Sequence, residues 1–142
     1  MEKLIAFERI TINVEKLPFQ LLLNKNFVSD TTKKDFTWCW YVELQKFDDT
    51  EHDDVNLQTL MVEIIQKIMK VADIKIAGTT LYKNIYEIIF YAKEEDTSKI
   101  GGELSEMHHD LEDRKDRFLR NHSKRDIGWN NVKPYFHILM EN

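Results

Sequence analysis

The sequence predicts an α+β fold, and the periodicity of its apolar residues supports that prediction. Apolar and polar residues alternate along 36–46, the period of a β-strand with one buried face. Two later stretches, 55–71 and 97–117, repeat apolar residues every three to four positions, as amphipathic helices do. The β-rich segment 74–92 between them divides into two strands. With a further strand at 118–124, the order is strand, helix, strand, strand, helix, strand. That order predicts a ferredoxin-like split βαβ sandwich.

The first 35 residues are predicted to add a β-hairpin and a loop to this core. Residues 3–14 alternate as a strand does, and Pro18 interrupts the pattern because proline cannot donate to a sheet hydrogen bond. A second short apolar run, 19–23, would complete the hairpin, and the polar stretch 24–35 is typical of a loop. The pattern leaves open whether the hairpin extends the sheet or covers its second face.

The stretch 36–46 is the clearest strand, because every residue on one of its faces is apolar. That face comprises Phe36, Trp38, Trp40, Val42 and Leu44. The other face, which includes Tyr41 and Glu43, is more polar. Right-handed crossovers place both helices on one side of such an antiparallel sheet. We therefore expect the apolar face to lie against the two helices.

Acidic residues precede the first helix and crowd the end of the second. The run 48–54 is predicted to be a loop, with Asp53 or Asp54 as N-cap of the helix 55–71. The second helix has one apolar stripe and a heavily charged end, so we expect one buried side. Its stripe consists of Ile100, Leu104, Met107 and Leu111.

The last residues predict a short C-terminal helix, interrupted by Pro134. Its helical period is carried by Trp129, Val132, Phe136 and either Leu139 or Met140. The prediction for residues 1–142 is thus a single domain. It comprises the hairpin and loop of 1–35, the ferredoxin-like core of 36–125 and the C-terminal segment of 126–142.

Composition restricts the compartment and the partners. The net charge of −5 and pI of about 5.5 disfavour nucleic acid, since neutralisation of phosphates supplies much of that affinity. A single cysteine, Cys39, excludes an internal disulfide and fits a reducing compartment. The first residues lack the apolar core of a signal peptide, and no apolar run approaches the roughly 20 residues that span a bilayer. These features predict a cytoplasmic protein with no membrane contact and leave its oligomeric state open.

Several short motifs resemble those of a known bacterial family. They are the tryptophan-rich strand, the acidic loop, the segments 78–80 and 86–91, the Asp-Ile-Gly-Trp of 126–129 and the Phe-His-Ile-Leu of 136–139. From about residue 10 onward the chain resembles the domain-of-unknown-function family 695. That family is distantly related to the regulator B of ribonuclease E activity, a protein inhibitor of this endonuclease. The resemblance implies an α+β, ferredoxin-like fold and no established activity. The distant relatives imply regulation by binding a protein.

The residue types that carry chemistry form no recognisable catalytic pattern. His108 with Glu112 and His109 with Asp113 have the i,i+4 spacing of helical metal ligands. Without a further ligand motif, the pattern favours a solvated helix face. Cys39 is predicted to be a small packing residue of its strand. The sequence therefore predicts no catalytic residue, no cofactor and no metal site.

These observations favour a non-enzymatic interaction or regulatory module that binds a basic protein. The predicted contact residues are Tyr41, Glu43, Asp48, Asp49, Asp53, Glu87, Tyr91 and Trp129. One alternative is a small-ligand-binding protein or an enzyme that uses the sheet's second face. Another is RNA binding, in which Tyr41 and either Tyr91 or Phe90 would stack on bases. The acidic composition disfavours RNA binding.

Overall fold

The computed structural model of the protein describes six ranges of residues: 7–14, 17–24, 34–45, 51–82, 85–113 and 119–134. Within them the elements are β1 (Phe7–Val14), β2 (Leu17–Asn24), β3 (Trp38–Gln45), α1 (Glu51–Met69), β4 (Ile74–Tyr82), β5 (Ile85–Ala92), α2 (Thr97–Asp113) and β6 (Leu119–Arg125). One 3-10 turn, Glu94–Asp96, precedes α2, and another, Asn130–Val132, follows β6. The chain is an α+β protein, as the sequence predicts.

The described strands form one antiparallel sheet in the order β1-β2-β4-β5-β3-β6. β3 and β4 both pair with β5, and β5 and β6 both pair with β3. Each helix therefore connects two parallel strands that have one strand between them, which requires a crossover. This arrangement of four strands and two helices is compatible with a ferredoxin-like fold. The β1-β2 hairpin lies beyond β4, so its backbone extends the sheet.

The main core lies between one face of the sheet and both helices. Its strand residues include Trp40, Val42, Leu44, Ile88 and Phe90. Its helix residues are Leu57, Met61, Ile64 and Ile68 of α1 and Ile100, Leu104, Met107 and Leu111 of α2. The rings of Trp40 and Phe90 stack with centroids 6.2 Å apart. Both helices share one side of the sheet because the apolar residues of the two central strands all project to that side.

The first helix begins earlier than the sequence prediction placed it. α1 starts at Glu51, so Asp53 and Asp54 lie inside the helix and the predicted loop 48–54 is too long. Carboxylates in a first helical turn interact favourably with the positive end of the helix dipole, which explains why this acidic run is helical. Asp48 and Asp49 lie outside the described residues.

The remaining boundaries differ by a few residues from the predicted ones. The predicted strand 118–124 is β6, and the described part of α2 ends at Asp113. The segment predicted as a C-terminal helix forms the 3-10 turn and two helical residues, 133 and 134. Residues 135–142, and 25–33 of the predicted N-terminal loop, lie outside the described ranges.

Replacing Trp40 by alanine should lower the free energy of unfolding by about 3–5 kcal/mol, because the ring is 3% exposed and its removal leaves a core cavity. Chemical denaturation would measure the change. Val62→Ala, at a 52%-exposed position on α1, is the control and should alter stability by less than about 0.5 kcal/mol. Equal effects of the two substitutions would contradict this assignment of the core.

Candidate functional site

The face of the sheet opposite the helices carries the polar residues of the central strands. We call it the far face and define it by positions 39, 41 and 43 of β3, 87, 89 and 91 of β5, and 120, 122 and 124 of β6. These positions alternate with the core residues and therefore project away from the helices. Four of the predicted contact residues, Tyr41, Glu43, Glu87 and Tyr91, come together here.

Two carboxylates oppose each other across the centre of the far face. Glu43 of β3 pairs in register with Glu87 of β5, and both are partly buried. The hydroxyl of Thr80 donates to Glu87 Oε1 at 3.5 Å. On the other side of Glu43, Arg120 of β6 is its cross-strand neighbour. Like charges in directly opposed positions destabilise a sheet, whereas an opposite-charge pair such as Glu43 and Arg120 stabilises it.

This environment changes the acidity of Glu87. Burial, and then the charge and hydrogen bonding of Glu43, raise its pKa from 4.5 to about 7. Near neutral pH, Glu87 therefore exchanges between its protonated and ionised forms. Paired carboxylates of this kind can share a proton, which is also how some enzymes obtain an acid and a base from two similar side chains.

A ring pair lies beside the carboxylates on the far face. Tyr41 and His122 are opposite each other in β3 and β6, and their rings stack with centroids 4.5 Å apart and planes 12° apart. Tyr41 is partly buried and His122 is exposed. The stack holds the imidazole against the sheet, next to the cross-strand pair of Glu43 and Arg120.

A C-terminal clasp, which we define as residues 126–132, covers one end of the far face. The Tyr91 hydroxyl donates to Asp126 Oδ2 at 2.5 Å. The indole nitrogen of Trp129 donates to the backbone oxygen of Phe36 at 2.7 Å, and its ring lies 5.2 Å from that of Tyr91. These contacts join the clasp to β5 and to the residues preceding β3.

Asp126 organises the clasp from within. Its carboxylate accepts the backbone N–H groups of Asn130 and Asn131 at 2.9 and 2.8 Å, so it caps the 3-10 turn. Gly128 and Trp129 both have positive φ, of 83° and 58°. A bulky residue in that conformation is strained by about 1–3 kcal/mol, which the hydrogen bonds of the clasp offset. From the sequence, Asp126 was noted only as part of the motif 126–129, and its capping role was not predicted, although aspartate is a common turn residue.

The clasp removes two predicted contact residues from the surface. Tyr91 is 0% and Trp129 2% exposed, so neither ring can meet a partner or stack on a base in this structure. Cys39 is also fully buried, and burial raises the pKa of its thiol. It is a packing residue, as predicted, since a reactive cysteine requires an exposed thiolate.

The acidic residues of the second helix form a separate surface. We define the acidic face as Glu106, His109, Asp110 and Asp113 of α2, all of which are exposed. They recur at i, i+3, i+4 and i+7 and so share one side of the helix, opposite its buried stripe. Asp53, another predicted contact residue, lies in α1 and is therefore not part of the acidic face on α2.

The described residues contain neither a metal-ligand cluster nor a membrane-spanning helix. No group of three or more histidine, cysteine, aspartate or glutamate side chains is arranged to hold a metal ion there. Within the same ranges, none of the helices has the length and apolar character needed to cross a bilayer.

Comparison with known proteins yields no relative for this chain. No protein-family model matches it, and neither a curated protein nor a solved structure does.

We expect Glu87→Gln to flatten the pH dependence of stability between pH 4.5 and 7. The folded protein keeps the Glu87 proton until about pH 7, whereas the unfolded chain releases it near pH 4.5. Wild-type stability should therefore fall as pH rises through this window, by on the order of 1–2 kcal/mol after allowing for solvent screening. The neutral amide removes that loss. Urea denaturation at several pH values measures it, with Glu106→Gln as the exposed control. Parallel curves for wild type and Glu87→Gln would refute the shift.

Tyr91→Phe should loosen the clasp. Losing the hydrogen bond to Asp126 should cost about 1.5–3 kcal/mol, since the acceptor is a buried carboxylate. Amide hydrogen exchange should accelerate at Asn130 and Asn131, whose N–H groups the same carboxylate accepts. Tyr86→Phe, on the helix-facing side of β5, is the control and should leave those two amides protected. Unchanged exchange in Tyr91→Phe would show that the clasp does not depend on this bond.

Proposed function

We propose that the protein is a non-enzymatic, cytoplasmic interaction module that binds a basic protein partner through α2. The observation that carries the proposal is the uneven distribution of charge. The segment 94–113 holds eight carboxylates and one lysine, a formal charge of −7, whereas the whole chain carries −5. The rest of the chain sums to about +2, so this helix and the turn before it hold more negative charge than the chain as a whole.

The acidic face is well placed for association. Its side chains lie on the solvent side of α2, while Ile100, Leu104, Met107 and Leu111 anchor the other side in the core. A charged surface on a rigid helix attracts an oppositely charged partner at long range and speeds their encounter. Lys99 pairs with Asp96, at 3.7 Å, which lies outside the acidic face.

The fold and the family resemblance agree with this role. We infer a ferredoxin-like split βαβ core extended by the N-terminal hairpin, because the order β4-β5-β3-β6 alternates as that fold requires. Membership of family 695 would imply the same fold. Its distant inhibitor relatives act by binding a protein, which is the mode of action proposed here.

The far face supports a second candidate function, the binding or turnover of a small cationic ligand. The observation that favours it is the pairing of Glu43 with a carboxyl group whose pKa lies near 7. Perturbed acid–base groups of this kind concentrate at functional sites. The burial of Cys39, Ile89 and Tyr91 leaves little of the surrounding face accessible, and for that reason we rank this candidate second.

Neutralising the acidic face should abolish capture of the partner. The test variant is Glu106→Gln/Asp110→Asn/Asp113→Asn. The matched control, Asp35→Asn/Glu63→Gln/Asp73→Asn, makes the same change in net charge at exposed positions elsewhere. Each bait would be incubated with native lysate, and retained proteins identified by mass spectrometry. We expect wild type and control to retain a basic protein that roughly 1 M salt releases, because charges are then screened beyond about 3 Å.

The test compares the amount of basic protein retained by the acidic-face variant with the amount retained by the control variant. The fold should survive in both, since all six positions are exposed, and thermal unfolding would verify it. Equal retention by the two variants, or no salt-sensitive protein on the wild-type bait, would refute binding through α2.

A further inference from the structure

We propose that the outer edge of β6 receives an extended acidic segment of a partner protein, which adds to the sheet as a further strand. β6 lies at one end of the strand order and, among the described strands, pairs with β3 alone. A strand in this position presents backbone N–H and C=O groups that another chain can pair with.

The side chains of β6 give this edge a defined chemistry. Arg120, His122 and Lys124 occupy alternate positions and so lie together on the far-face side. All three are exposed. They form a basic row on a chain that is acidic as a whole.

The neighbours of this row in β3 differ in their ability to neutralise it. Arg120 lies opposite Glu43, and His122 lies opposite and stacks on Tyr41. Lys124 lies opposite Cys39, which is buried and carries no charge. An incoming strand with acidic residues at every second position would place one of them beside each basic side chain, about 4.5–5.5 Å away.

Two other possible binding partners of this edge, a second copy of the chain and RNA, are disfavoured. A second copy of the chain, paired antiparallel about His122, would set Arg120 against Lys124 twice and His122 against itself. Like charges in opposed positions destabilise a sheet, so this edge is protected from self-pairing. The phosphodiester backbone of RNA lacks the N–H and C=O groups that pair with an edge strand. A short acidic strand offers both those groups and the negative charge.

The experiment uses the whole protein and a synthetic peptide of about the length of β6, in which glutamates alternate with valine or threonine. Titration followed by NMR should shift the β6 resonances and slow amide exchange at alternate β6 residues. A peptide of the same composition with its glutamates contiguous should bind about tenfold more weakly, because its charges cannot share one face. Lys124→Glu should weaken binding of the alternating peptide by about the same factor, and Lys67→Glu on α1 should not.

N-methylation of the peptide separates strand addition from simple ion pairing. Only every second amide of an added strand faces β6, so one of the two alternating N-methyl patterns should abolish binding and the other should preserve it. Binding that survives both patterns would overturn the proposal. So would the absence of binding by the unmodified alternating peptide, or shifts at β6 caused only by a single-stranded RNA oligonucleotide.

Discussion

The alternation of side chains along β3 is the constraint on which the rest of the structure depends. Because successive residues of a strand point to opposite faces, placing Trp40 and Val42 against the helices requires Tyr41 and Glu43 to occupy the far face. A slip of one residue would exchange the two sets and expose the indole ring. The core therefore decides which polar residues meet on the other side, including the opposition of Glu43 and Glu87.

The free energy gained by core burial explains how the sheet tolerates two opposed carboxylates. Each large apolar side chain buried in the core contributes about 1.5–3 kcal/mol, and many do so, whereas a cross-strand like-charge pair costs about 1 kcal/mol or less. Partial protonation of Glu87 near pH 7 lowers that cost further. Packing does not require a carboxylate at either position. Natural proteins retain such unfavourable choices mainly at functional sites, which is why the pair supports the second candidate function proposed for the far face.

Periodicity predicts the core well because it is a local property of the chain. The helical stripe of 100–111 and the alternation of 38–44 are both visible in the sequence and both found in the structure, whereas Phe36 precedes β3 and lies outside this core. The segment that covers a face of the sheet, by contrast, can come from a distant part of the sequence. Tyr91 meets Asp126 across 35 positions, and no short motif encodes that contact, so Tyr91 and Trp129 were predicted as contact residues although both are buried. The start of α1 was misplaced because a run of carboxylates suits both a loop and a first helical turn.

An ion pair joins the acidic segment 94–113 to β6, and the two opposite charges limit what can bind there. Arg125 of β6 pairs with Glu94 at 2.5 Å, and its guanidinium lies 6.0 Å from the Trp38 ring. The pair links the acidic segment to the basic edge strand. A partner that approaches both surfaces must then be basic where it meets α2 and acidic where it meets β6. A uniformly charged macromolecule of either sign is repelled by one of the two, and that repulsion gives selectivity that attraction alone does not provide.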